Sequence, residues 1–262
     1  MRDQGLSEAI RAAGGVSELA RRLGISQPSV SNWSRVPAER VLDVETVTGV
    51  ERVVLRPDLY AESRKRMELQ GEVSEVDSAR AQEYALLAVL LSRAPDADLL
   101  GRLAQLRGDA SPLGLAHVAL AEAASETSAD KVEREYFNLF IGLGRGELLP
   151  YGSYYLTGFL HERPLARLRA DLDSLGIERA TGVSDPEDHV AILCEIMSGL
   201  VGGKFPAAPG SDREFFEKHM RPWFGRFFSD LEQANGATFY RRVGALGRAL
   251  VEIETEAFTL PA

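Results

Sequence analysis

The stretch DPEDHVAILCEIM, Asp185 to Met197, decides how the longer part of this chain is read. Three carboxylates and a histidine fill its first five residues, and an apolar run holding the chain's single cysteine follows at once. With Ser184 or Asp185 as N-cap and Pro186 at the first helical position, it has the form of a helix start. Proline lacks a donor that the first turn leaves unpaired anyway, and the positive end of the helix dipole favours the acids. Ile192, Leu193 and Ile196 then give a core face, with Cys194 as a small buried residue. That account covers the acids and the proline, but it gives His189 no reason to stand beside Asp188.

Chemistry at this stretch is disfavoured on several grounds. A paired-carboxylate site needs two carboxyls facing one substrate bond, whereas acids at a helix start are already explained. His117, His161, His189 and His219 are scattered, with none paired at helical spacing, so no metal set is expected. His189 and Cys194 are five residues apart, which puts them roughly 140° apart around a helix and disfavours a thiol–imidazole pair. GLVGGK, Gly199 to Lys204, is one residue short of a phosphate loop, and Phe205 stands where a hydroxyl would hold magnesium. GLGRG, Gly142 to Gly146, follows a helical run rather than a strand. Both read as turns. The expectation is a protein that is not an enzyme, with no catalytic residue, metal or cofactor.

Outward from this stretch the pattern stays helical. YALLAVLLSR, DLLGRLAQL, VEREYFNLF, PLARLRADLDSLG and FFEKHMRPWFGRFFSDL repeat apolar residues at steps of three and four. No β-branched alternating run of useful length occurs, so the fold class is all-α. At 262 residues and 45% hydrophobic content the chain has material for two domains and a sizeable core. One cysteine excludes an internal disulfide framework. No stretch reads as a signal peptide or a membrane span, and a cytoplasmic protein is expected. Charge is uneven. Residues 1–70 hold 11 basic against 10 acidic side chains, and residues 71–262 hold 19 against 29. The second part is therefore unsuited to a phosphate backbone.

The expected division is a small domain over 1–60, a polar linker or helical extension over 61–77, and a helical domain over 78–262. In the first, VSELARRLGISQPSVSNWSR, Val16 to Arg35, reads as a helix-turn-helix. Ser17 caps a short helix with Leu19, Ala20 and Leu23 inward, and Gly24 makes the turn. Ser26 then caps a second helix that tolerates Pro28 in its first turn. Val30 and Trp33 point inward. Gln27, Ser29, Ser31, Asn32 and Arg35 are left to face a major groove, with short donors and acceptors suited to base edges and phosphates. With RVPAERVLDVETVTG and LRPDLY behind it, the segment resembles the YdaS-type branch of Cro-like repressors. Binding to an operator would then require two copies, hence a homodimer.

The segment EYFNLFIGLGRGELLPYGSYYLTG, Glu135 to Gly158, starts as a helix and ends as a loop rich in tyrosine, glycine and proline. Core packing accounts for Phe137 and Phe140. Tyr151, Tyr154 and Tyr155 beside Pro150 and Ser153 make a lining that is apolar in body and polar at the tip, suited to a peptide. The order Y-x-x-L-F-x-G, L-P-x-G-S-x-Y-L, then D-P-E-D-H resembles the TorD/DmsD/NarJ group of redox-enzyme maturation chaperones over roughly residues 78–258. The resemblance implies an all-helical domain that binds the catalytic subunit of a molybdenum or tungsten oxidoreductase, often through its twin-arginine leader, during cofactor insertion. A formate dehydrogenase is the client it suggests. The groove it implies is formed by Tyr136, Phe140, Pro150, Tyr151, Ser153, Tyr155, Asp185, Pro186, Asp188 and His189. The competing reading is a transcription regulator whose helical domain senses a ligand or dimerises.

Overall fold

The computed structural model describes residues 2–60, 73–179 and 185–259. The chain divides into two compact units, Met1–Glu72 and Val73–Ala262. Ser184, one of the two caps expected for the Asp185 stretch, lies outside the described residues, as does most of the expected linker. No strand occurs among the described residues, and none of their helices is long and apolar enough to cross a membrane.

Among the described residues the first unit holds five short α-helices and a 3-10 turn. Helix α1 (Gln4–Ala13) is capped by the Asp3 carboxylate, which accepts the Leu6 N–H at 2.9 Å. The expected pair follows as α2 (Val16–Arg22) and α3 (Gln27–Ser31). Gly24 adopts φ 65° between them, a left-handed value that a side chain would strain. Ser26 caps α3 as expected, its hydroxyl accepting the Ser29 N–H. Ser17 does not cap α2. Gly15 takes that place at φ 126°, a conformation closed to serine, and Ser17 sits inside the first turn. After the 3-10 turn Ala38–Arg40 come α4 (Val41–Thr48) and α5 (Arg52–Leu55). Leu6, Leu19, Ala20, Val30, Val41, Val44 and Leu55 form one core, with Trp33 partly buried against it. Arg56 is buried and ties the unit's end to its middle, donating to the Val36 carbonyl at 2.8 Å and to Asp58 at 2.7 Å.

The second unit opens with α6 (Glu75–Ser92), capped by Ser74, so the helix begins inside the span expected as linker. Next come α7 (Ala97–Leu103), α8 (Pro112–Ser125) and α9 (Ala129–Tyr136), the last running into a π-turn at Phe137–Ile141. Short α10 (Gly152–Thr157) leads to α11 (Arg163–Leu175) and to α12 (Val190–Val201). Then α13 (Ser211–Phe215) passes into a second π-turn at Phe216–Met220, followed by α14 (Phe224–Gln233) and α15 (Phe239–Thr259). The run FFEKHMRPWFGRFFSDL is therefore two helical pieces. Pro222 breaks them apart because it supplies no N–H and clashes with the preceding turn. Helix α12 packs along α6, and α15 packs against α8 and α14. Trp223, Phe224, Phe227 and Phe228 pack edge to face inside. Cys194 is fully buried, and burial pushes its thiol well above the ordinary value, the inert condition expected of a core cysteine.

One buried charge clamps the first helix of this unit to the last. Glu254 is 1% exposed and takes two bonds from Arg80, Nε to Oε1 and Nη2 to Oε2, each at 2.7 Å. The Tyr84 hydroxyl adds a third at 3.2 Å. Stripping Arg80 would leave a carboxylate in the core with only the Tyr84 hydroxyl to meet it. Arg80→Ala should therefore lower stability to urea by about 3–5 kcal/mol. The pair Arg80→Met with Glu254→Leu should recover most of that loss, because no charge then remains buried.

Candidate functional site

Two segments far apart in sequence meet here through main-chain bonds. The Val190 N–H donates to the Pro150 carbonyl and the Gly152 N–H to the Asp188 carbonyl, both at 2.9 Å. They form an isolated antiparallel bridge between Tyr151 and His189. The bridge brings the N-termini of α10 and α12 to one point, and the N-cap residue of α10, Tyr151, gives that helix no side-chain cap of its own. Asp188 caps α10 from outside, its Oδ2 accepting the Ser153 N–H at 2.7 Å. His189 caps α12, its Nδ1 accepting the Ala191 N–H at 3.2 Å. Helix α12 thus starts five residues after Asp185, and the expected roles of Asp185 as N-cap and Pro186 as first helical residue are overturned. Residues 185–188 form a tight turn instead, closed by the His189 N–H on the Pro186 carbonyl at 3.0 Å. That arrangement supplies the missing reason for the aspartate–histidine pair. Each residue caps a different helix.

The juncture has a buried side and an exposed side. Asp188 and His189 are 3% and 6% exposed, Ser153 and Pro150 are buried, and Tyr155 turns inward. The Tyr155 ring packs on Trp223 and Phe227 and its hydroxyl donates to Asp230 at 3.0 Å. These five are buried, and of them Asp188 reaches the cleft described below. On the exposed side the Tyr151 hydroxyl donates to the Asp185 carboxylate at 2.9 Å, and its ring stands edge-on to His189 with centroids 5.1 Å apart. Tyr136 and Phe140 form a second aromatic group with Tyr240, at 5.1 to 5.8 Å between centroids. Burial, with the Asp185 charge, raises Tyr136 to about 12, and burial with the Asp185 bond raises Tyr151 further. Both phenols therefore stay protonated donors.

Carboxylates acting at a distance tie the first of these segments to the turn between α14 and α15. Glu135 accepts the N–H groups of Thr238 at 2.8 Å and Tyr240 at 2.7 Å, capping the start of α15. Glu147 does the same for Asn235 at 2.8 Å. The sequence reading missed a cleft of about 440 Å³ behind the juncture, lined by Leu156, Leu168, Leu193, Trp223, Asp171 and Asp188 among others. Oδ1 of Asp188 and Oγ of Ser153 are buried without a hydrogen-bond partner among the described residues. Only the unit's folding brings these side chains together, so local pattern gave no signal for the cleft.

In the first unit, Gln27, Ser29, Ser31, Asn32 and Arg35 are all exposed. Ser29 shares a 2.8 Å bond with Ser26, Gln27 reaches Ser31 at 3.4 Å, and Arg35 lies 3.4 Å from Asp58. The unit's cations are mostly answered from within. Arg21 and Arg22 pair with Glu18, Arg40 with Asp43, Arg52 with Glu45, and Arg56 with Asp58.

Burial lowers the His189 imidazole below its ordinary value of 6.5, with the charges of Asp185 and Asp188 pulling the other way. The cap needs Nδ1 unprotonated, because imidazolium cannot accept. A folded pKa below the unfolded one gives stability that is complete above 6.5 and lost as pH falls. The unfolding free energy of the chain should therefore decline on acidification below about 6.5. His189→Asn keeps a capping acceptor without titrating. It should flatten that decline in denaturant titrations at pH 7 and pH 5.

Comparison with known proteins bears on both units. Residues 106–229 match the family described as nitrate reductase delta subunit, and residues 6–64 match the family described as bacterial toxin YdaS. The chain is 24% identical over 127 residues to the chaperone protein TorD of Vibrio cholerae, covering 45% of this chain and 58% of that one. With TorD of Aliivibrio fischeri it shares 26% over 135 residues, 48% of this chain and 60% of the relative. The match thus spans less than two thirds of the relatives' own length. A crystal structure of a redox enzyme maturation protein from Archaeoglobus fulgidus aligns at TM-score 0.47 and 20% identity, over 66% of this chain and 93% of that one. By these matches the first unit is similar to proteins of the YdaS type and the second to proteins of the TorD/NarJ type.

Proposed function

We propose that the second unit is a binding protein, not an enzyme: a cytoplasmic chaperone that captures the catalytic subunit of a molybdenum or tungsten oxidoreductase during cofactor insertion. The segment it holds is a cationic, apolar leader of the twin-arginine kind, and the client is a formate dehydrogenase. One observation carries the reading. The Asp185 carboxylate and the Tyr151 ring are presented by two capped helix starts, in a domain whose exposed large apolar side chains include Phe137, Ile141, Leu143, Leu156, Phe159 and Leu160. Leu143 is 98% exposed. A carboxylate beside aromatic and apolar surface suits a segment with paired arginines and an apolar stretch. The excess of acidic side chains over residues 71–262 adds a favourable long-range field. In this reading Tyr136, Phe140, Tyr151, Asp185 and Pro186 meet the client. Pro150, Ser153, Tyr155, Asp188 and His189 position them.

The test is affinity capture from the native cytoplasm with the full chain, wild type against Tyr151→Phe with Asp185→Asn. These changes remove one exposed hydrogen bond and one charge and leave both helix caps in place. A molybdoenzyme catalytic subunit held by wild type and lost by the variant supports the reading. Equal retention of that subunit by both places its binding elsewhere, and its absence from both removes the proposal.

The same reading gives the first unit a role at an operator, bound by two copies of the chain. The exposed face of α3 supports it. The internal pairing of six arginines predicts that phosphate contributes little. Among the described residues of this unit Arg2 and Arg11 are the cations without a carboxylate partner, so Arg2→Ala with Arg11→Ala should make the slope of the logarithm of affinity against the logarithm of salt shallower by about 4 for two copies. Titrating an operator duplex between low and moderate salt measures this slope. An unchanged slope would place the phosphate contacts on other cations.

A further inference from the structure

Beside the turn that carries Asp185 lies a pocket that no motif announced. It has a volume of about 150 Å³ and an apolar floor made by Leu172 of α11, Ile177 just beyond it, Ile192 and Ile196 of α12, and Phe205. Phe205 approaches Gly199 so closely that a Cβ there would stand 2.2 Å from the ring, so glycine is what lets the floor close. The rim is charged. Glu178, Glu187 and Glu195 stand around the opening with one arginine, Arg179. Glu187 is already engaged by Arg169 at 2.8 Å, with Arg179 at 4.0 Å. Glu195 is exposed on the outer face of α12. A cavity of about this size lined by leucine, isoleucine and phenylalanine takes one benzene-sized apolar group.

We infer that this pocket is a second client subsite, taking one leucine or phenylalanine side chain from a peptide segment whose neighbouring residues are cationic. The inference rests on the peptide-capture reading above and adds a place and a chemistry to it. Charge complementarity selects the occupant: with Glu187 taken up by Arg169 and Arg179, Glu178 and Glu195 leave the rim with an excess of acidic charge that favours lysine or arginine over an acidic segment. Continuity selects the same peptide. Asp185 and Glu187 lie two residues apart on one tight turn, and two residues of chain span at most about 7 Å. A segment bound at Tyr151 and Asp185 therefore reaches the mouth of the pocket within a few residues. The arginine pair would lie against the Asp185 side and the apolar stretch that follows would enter here.

The experiment uses the full chain and two synthetic peptides of twenty residues. Each begins with an arginine pair; one continues with a leucine-rich stretch, and in the other serines replace the leucines. Affinity is read by fluorescence anisotropy for wild type, Ile192→Ser, Glu195→Lys, and Tyr151→Phe with Asp185→Asn. Wild type should bind the leucine peptide about 10- to 100-fold more tightly than the serine peptide, as expected for burying one large apolar side chain. Ile192→Ser should erase most of that difference while leaving the serine peptide unaffected. Glu195→Lys changes only an exposed side chain, so it keeps the fold, and it should weaken both peptides several-fold. The inference is overturned if Ile192→Ser and Glu195→Lys bind the leucine peptide as wild type does while Tyr151→Phe with Asp185→Asn weakens it; peptide capture then stands without this subsite. If wild type binds neither peptide, peptide capture and the subsite fall together.

Discussion

A buried aspartate holding the start of a helix that is not its own is the constraint on which this domain's surface depends. Asp188 is almost wholly removed from water, and its Oδ2 accepts the Ser153 N–H at 2.7 Å. A carboxylate in that setting is costly unless bonded, so the contact has little freedom to slip. With the two main-chain bonds of the Tyr151–His189 bridge, it sets where α10 begins relative to α12. Everything exposed at the juncture follows from that position, including the Tyr151–Asp185 bond. The same geometry lines one side of the large cleft and places Glu187 at the mouth of the smaller pocket.

The juncture belongs to a wider habit of the domain, in which carboxylates distant in sequence complete helix ends. Glu135 caps α15, Glu147 caps the turn before it, and Asp188 caps α10. A helix leaves its first N–H groups without partners inside it. Where the first residues carry no suitable oxygen, another segment must bring one. Such caps order loops without a sheet or a disulfide, which explains how a glycine-rich loop can display Leu143 to solvent. The first unit spends its charges differently. Its arginines are matched by its own acids across short spans, which leaves the helix-turn-helix face neutral and rich in hydroxyls.

Much of this was readable from local pattern. Three-and-four spacing of apolar residues is a property of one helix, so the helices of both units could be expected before any packing was known. Gly24 and Ser26 act within a few residues, and their roles were legible for that reason. Where the reading failed, a partner from elsewhere had intervened. Ser17 looks like a cap by its neighbours, but Gly15 adopts a conformation that moves the helix start back. The DPEDH run reads as a helix start, but the bridge to Pro150 and Gly152 takes the chain out of helical geometry until His189.

The sequence by itself determined the helical class, the turn at Gly24 with the cap at Ser26, and the core position of Cys194. These depend on periodicity and on short-range conformational preference, which act within a few residues. Tertiary structure alone decided which site residues are exposed and which are buried, and that Asp188 and His189 cap two different helices. It also decided that the cleft and the pocket exist. Each of these depends on side chains separated by tens of residues, brought together by packing between helices, and a contact of that kind leaves no mark on local spacing.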